Sequence, residues 1–172
     1  MNKILCIGEV LIDMICTDKG NSLSGGQHFL KKAGGAPANV AAAIASLGGT
    51  VDLAAKAGTD PFGQYLVDVL TSFGVSATRI LQDERYFTTF AFVSLLEDGE
   101  RDFYFNRGAD GQLSTDDIDS IDLDEYAIIH FGSATAFLPA PLQTAYTHLL
   151  QKAVLKNIFI SFDPNYRQFA FS

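Results

Sequence analysis

Gly34-Gly35-Ala36-Pro37-Ala38-Asn39 sets two residues without side chains just ahead of an amide side chain. Glycine lets a ligand approach the backbone, and Asn both donates and accepts hydrogen bonds, which suits a small polyhydroxylated ligand. The same residues would also serve a tight turn with Asn39 capping the helix that follows. Asp13 is a second candidate, with Glu9 upstream of it. An ionised carboxylate only accepts, so Asp13 can take hydrogen bonds from two neighbouring hydroxyls of a sugar, or stand as a solvated strand-end charge or turn cap. The densest group is Asp163-Pro164-Asn165-Tyr166-Arg167, a carboxylate, an amide and a guanidinium stiffened by a proline. Such a cluster can hold a phosphate or a Mg²⁺-bound water, or form an Asx turn beside a solvated arginine. Arg107 offers a fork of donors for a ligand, or an ion pair with a nearby acid such as Asp102 or Asp110. His28, His130 and His148 lack the spacing of a metal site or a triad.

Positioning these groups falls to alternating helices and strands. Residues 4–7 predict a buried strand that continues through Gly8 into 10–13, which puts Asp13 just past a central strand. Residues 17–26 read as loop or edge structure. Val40, Ile44 and Leu47 recur at helical spacing with Gly48 as the stop, and 51–57 predict the next strand, so the chain begins as a βαβ unit. Asp60-Pro61 reads as a cap and first turn, and Phe62, Leu66, Val69, Leu70 and Phe73 mark one face of the helix that Gly74 ends. Residues 88–96 and 101–107, rich in β-branched and aromatic types, flank Glu97-Asp98-Gly99-Glu100 and predict an antiparallel ribbon. A strand over 127–131, a helical stripe on Leu142, Ala145, Tyr146, Leu149, Leu150 and Ala153, and a strand over 158–162 complete the pattern. Open α/β sheets bind ligands beyond the carboxyl ends of their strands, where Asp13, Gly132, Ser133, Asp163 and Asn165 are expected.

Composition narrows the classes. The 172 residues, 48% of them hydrophobic, suit one ordinary domain with a real core. A net charge of −8 with scattered basic residues argues against nucleic acid and anionic membrane as partners. The N-terminal apolar segment is too short for a signal peptide, and no apolar stretch could span a bilayer. Cys6 and Cys16 suggest no disulfide framework and read as small buried hydrophobes, so a reducing cytoplasm is the expected location.

Five segments in order, Gly8-Glu9-Val10-Leu11-Ile12-Asp13, the block 34–49, Gly58-Thr59-Asp60-Pro61-Phe62-Gly63, Asp98-Gly99-Glu100-Arg101-Asp102-Phe103 and Phe162-Asp163-Pro164-Asn165-Tyr166-Arg167, resemble the N-terminal half of the ribokinase-like (PfkB) sugar kinases, most closely the fructokinases. The resemblance implies an α/β fold: a three-layer α/β/α body with a parallel central sheet and a small β lid drawn from about 14–33 and 86–107. It implies that Asp13 binds sugar hydroxyls, that Gly34, Gly35 and Asn39 line the sugar pocket, and that Arg107 and Arg167 lie on the substrate side. Asp163 and Asn165 match positions near the phosphates and a metal-bound water. The implied reaction is phosphorylation of fructose to fructose 6-phosphate with ATP and Mg²⁺, and the implied assembly is a homodimer through the lid.

The match ends about halfway through a family member, before the Gly-Ala-Gly-Asp segment that supplies the base Asp, the anion hole and most of the nucleotide site. No catalytic residue is therefore expected among these 172 residues, and this half alone is expected to be inert. A kinase for 2-keto-3-deoxygluconate, or for another sugar, is the alternative within the family. A non-catalytic sugar-binding module or a lid-mediated assembly fragment is the alternative outside it.

Overall fold

Runs of Ile, Leu, Val and Ala make the central strands here, because a strand covered on both faces needs no alternation. The computed structural model describes residues 3–165. In chain order its elements are β1 (Lys3–Ile7), β2 (Leu11–Cys16), β3 (Phe29–Gly34), α1 (Ala36–Ser46), β4 (Val51–Gly58), α2 (Pro61–Ser72), β5 (Ile80–Asp83), β6 (Phe90–Leu95), β7 (Arg101–Asn106), α3 (Thr115–Asp119), β8 (Tyr126–Phe131), α4 (Pro141–Leu155) and β9 (Phe159–Phe162). Five strands form a parallel sheet in the order β5-β4-β1-β8-β9. One face of it packs Cys6, Leu53 and Ala55 against Ala38 and Ala41 of α1 and Leu66 and Leu70 of α2. The other packs Leu5, Ile7, Ile129 and Phe131 against Ile118 of α3 and Leu142, Tyr146 and Leu149 of α4. These are the three layers of the α/β/α fold.

A second sheet has the order β3-β2-β6-β7. Its outer pairs are antiparallel hairpins, and β2 and β6 meet in parallel, with Ile12 opposite Phe90 and Ile15 opposite Val93. Asp98-Gly99 turns the β6–β7 hairpin, with Gly99 at φ +85°. The strand predicted to run from 4 through 13 is thus two strands in two sheets. Gly8, at φ +142° and close against Ser133 and Pro37, breaks it. Asp13 consequently sits in the middle of β2 in the small sheet, not beyond a central strand.

The helices follow their signals with one correction. Asp60 caps α2 by accepting from Phe62 N at 3.0 Å and Gly63 N at 2.9 Å. In α1 the fully buried face is Pro37, Ala38 and Ala41, whereas Val40 and Ile44 are half-buried and Leu47 is 89% exposed. Small residues let α1 lie close on β1 and β4, so the larger apolar ones fall at the rim. No helix among the described residues is long and apolar enough to cross a membrane.

Candidate functional site

A cleft of about 1390 Å³ lies between the carboxyl end of the parallel sheet and one face of the small sheet. Strand alternation decides what the small sheet shows to it. Leu11, Asp13 and Ile15 of β2, Ala91 and Val93 of β6, and Phe103 and Phe105 of β7 line the cleft. Ile12 and Met14 of β2 and Phe90 of β6 instead pack in the cluster that includes α2, where the Phe62 and Phe90 rings meet edge-on at 4.8 Å and Lys31 Nζ lies 3.6 Å from the centre of the Tyr65 ring.

Asp13 is the half-buried carboxylate of this cleft and has no hydrogen-bond partner among the described residues. Burial pushes its carboxyl above the usual carboxylate range. Gly34, across the β2–β3 pair, leaves it room: a Cβ at 34 would overlap Asp13 Oδ2. Gly35 is required twice over, since φ is +108° and a Cβ would strike the Glu9 carbonyl oxygen. Asn39 is the fourth residue of α1, so it does not cap the helix, and its side chain is exposed on the cleft.

The cap of α1 is instead long-range. Gly35 at the N-cap has no side chain, and Glu9 Oε1 accepts the Ala36 N–H at 3.0 Å. Glu9 also accepts from Ser133 Oγ, from Ala134 N at 3.3 Å and from Thr135 Oγ1 at 3.5 Å. It is 2% exposed, and burial raises its carboxyl despite these donors. Thr135 Oγ1 also donates to Asp110 Oδ2 at 3.0 Å. Asp110 is fully buried and takes Thr89 Oγ1 on its other oxygen. Burial raises Asp110 as well, with the Arg107 charge opposing it.

Arg107 is committed to this network: Nε lies 3.4 Å from Asp110 Oδ2, and Nη2 donates to the Thr135 carbonyl at 3.0 Å. Of the two readings the sequence offers for it, the ion pair with Asp110 is present, and Arg107 is not among the residues lining the cleft. Asn165, at φ +42°, reaches the cleft and donates from Nδ2 to the Gly132 carbonyl at 3.3 Å. Asp163 is exposed beyond β9, accepts the Asn165 N–H at 2.9 Å in an Asx turn, and does not line the cleft. Arg167 lies outside the described residues. The cleft therefore gathers Asp13, Gly35 and Asn39, with Gly34 behind Asp13, and adds Asn165 at its edge.

Glu9, Thr135 and Asp110 join residues from three distant parts of the chain. The signs of them in the sequence are an acid just after a strand, at Glu9, and Asp110 as a possible ion-pair partner of Arg107.

The arrangement suits hydroxyl recognition, with one free acceptor at Asp13 and one free amide at Asn39. It does not suit a triphosphate, because the leading N–H of α1 is already taken by the Glu9 carboxylate. Among the described residues no three His, Cys, Asp or Glu side chains are grouped to hold a metal ion.

Comparison with known proteins identifies the family and the fold. The pfkB family carbohydrate kinase model matches residues 1–170. Fructokinase-2 of Oryza sativa subsp. japonica is 41% identical over 169 residues, 96% of this chain and 50% of that protein. Fructokinase-1 of Zea mays is 38% identical, over 96% of this chain and 51% of its own length. Among solved structures, an uncharacterized sugar kinase from Pyrococcus horikoshii in complex with ATP superposes with a TM-score of 0.87 at 33% identity, over 97% of this chain and 54% of that one. Halothermothrix orenii fructokinase gives 0.86 at 30% identity, over 99% of this chain and 59% of that one. The chain spans about half the length of the curated relatives it matches.

Proposed function

The chain belongs to the pfkB family of carbohydrate kinases, and from that premise we propose that it supplies the sugar-binding part of an ATP-dependent kinase that phosphorylates the 6-hydroxyl of fructose. The observation that carries the reading is the Asp13 carboxylate, half-buried and unpartnered, held open to the cleft by Gly34 and facing the same space as Asn39. A carboxylate desolvated without a partner is costly, and two adjacent sugar hydroxyls would relieve it. Fructokinases at about 40% identity support fructose as the sugar.

The charge of the cleft supports a neutral sugar over ketodeoxygluconate. Glu9, Asp13, Glu100 and Asp102 line it, against Arg101 as the one cation among the described lining residues. An acidic sugar would meet net repulsion there.

ATP and Mg²⁺ belong to the proposal through the family. When bound they would supply the transferred phosphoryl group and the charge that balances it. The described residues do not fit them, lacking a phosphate cradle and a metal-holding cluster, so no catalytic step is assigned to this chain and it is proposed to be inactive alone. Pairing of two copies through the small sheet, acting as a lid, is proposed on its exposed Leu30, Leu95 and Tyr104. A cytoplasmic location is proposed on the free thiols Cys6 and Cys16.

Calorimetry of this chain with fructose, ribose and ketodeoxygluconate tests the reading. Fructose is expected to bind most tightly, without ATP and without turnover. Equal affinity for all three, or preference for the acidic sugar, would sink it.

A further inference from the structure

We propose that Thr135 is a positioning residue that sets the small sheet against the floor of the cleft, its one hydroxyl joining the Glu9 carboxylate to the Asp110 carboxylate. Glu9 holds the start of α1 through the Ala36 N–H and the loop after β8 through Ser133 and the Ala134 N–H. Asp110 holds both roots of the β6–β7 hairpin. Thr89, just before β6, donates to Asp110 Oδ1 and accepts the Gly108 N–H at 2.8 Å, while Arg107, just after β7, pairs with Oδ2. Thr135 Oγ1 stands between the two carboxylates, 3.0 Å from Asp110 Oδ2 and 3.5 Å from Glu9 Oε2.

A threonine hydroxyl has one proton, so it cannot serve both acceptors fully at once. The shorter distance gives that proton to Asp110. Glu9 is held by Ser133 and the two amides, with Thr135 as its longest contact. Thr135 is 6% exposed and lines the cleft, so a ligand resting on it bears on both ends of the network. A buried polar network of this kind has few alternative arrangements, because each broken bond leaves a desolvated carboxylate oxygen. The roots of the β6–β7 hairpin and the Gly35–Ala36 turn are thereby fixed relative to each other. This rests on the sugar-pocket reading only for what the cleft binds.

Amide hydrogen exchange on the 172-residue chain, without ligand, tests the link. Thr135→Val is expected to speed exchange at both Ala36 and Gly108 by roughly tenfold, the equivalent of one hydrogen bond, while Thr135→Ser stays near wild type. Core amides of β4 should not follow. Acceleration at one end only, or equal acceleration through β4, overturns the proposal. If Thr135→Val does not fold, Thr89→Val is expected to speed exchange at Ala36, across the network, and no change there overturns it. Fructose titration is a separate readout. Wild-type chain that binds no fructose would refute the sugar reading and leave the exchange result standing.

Discussion

The Oδ2 atom of Asp13 occupies the space that a Cβ on residue 34 would need, so the carboxylate and the missing side chain are complementary across β2 and β3. Gly34→Ala must therefore push Asp13 out of place before it disturbs the fold. Fructose affinity is expected to fall more than about tenfold, with a melting temperature lowered by only a few degrees. Asp13→Asn, which keeps the shape and loses the charge, is expected to cost about ten- to a hundredfold in affinity, because hydrogen bonds to a charged acceptor are the stronger ones. Calorimetry and thermal unfolding on both variants separate binding from stability.

Asp60 ties α2 to the root of the small sheet. Besides capping α2, it accepts from Thr88 N at 2.7 Å and Thr88 Oγ1 at 2.8 Å. Burial works to raise its carboxyl, but these donors outweigh burial and hold it below its ordinary value of 3.8. A carboxyl depressed on folding contributes stability that is complete above its unfolded value and is lost as pH falls through the folded one. Asp60→Ala is thus expected to cost about 2 kcal/mol at pH 7. The gap from wild type should shrink as pH falls below the ordinary carboxyl value of 3.8, and urea unfolding from acid to neutral pH measures it.

The stacking of Lys31 on Tyr65 clasps β3 to α2. Tyr65→Leu is expected to lower stability by about 1 kcal/mol, and Lys31→Met should add little in that background. Urea midpoints for the four proteins of the cycle give the coupling, with slopes unchanged if the compactness of both states is kept.

Strand β9 lies at the edge of the parallel sheet, with Phe159 67% and Phe162 55% exposed among the described residues. An open apolar edge promotes pairing between chains. Phe159→Lys is expected to reduce the concentration-dependent association of this chain in sedimentation velocity, without loss of helical content.

Most of the scaffold could be read from local signals. Asp60-Pro61 and Asp98-Gly99 state their cap and turn in adjacent residues, and the α4 stripe states its buried face. Strands β3 and β5 escaped because Phe29-Leu30-Lys31-Lys32-Ala33-Gly34 mixes charge with apolar residues and Ile80-Leu81-Gln82-Asp83 is too short for a period to show. Asp13 could be singled out as a candidate ligand group, but its sheet could not be read, because the break at Gly8 is a conformational fact between two apolar runs. Arg107 offers a ligand contact or an ion pair with Asp102 or Asp110, and the fold shows the pair to be with Asp110. Glu9 meets Thr135 across 126 positions of sequence and Thr135 meets Asp110 across 25, separations at which spacing carries no information.

The parallel seam between β2 and β6 has a consequence for how the protein is made. Each hairpin of the small sheet is local and can close early, whereas the seam must wait until α1, β4, α2 and β5 have all been synthesised. During translation the β2–β3 hairpin therefore leaves the ribosome with one edge unsatisfied, and the sheet over the cleft is completed only when the second hairpin arrives.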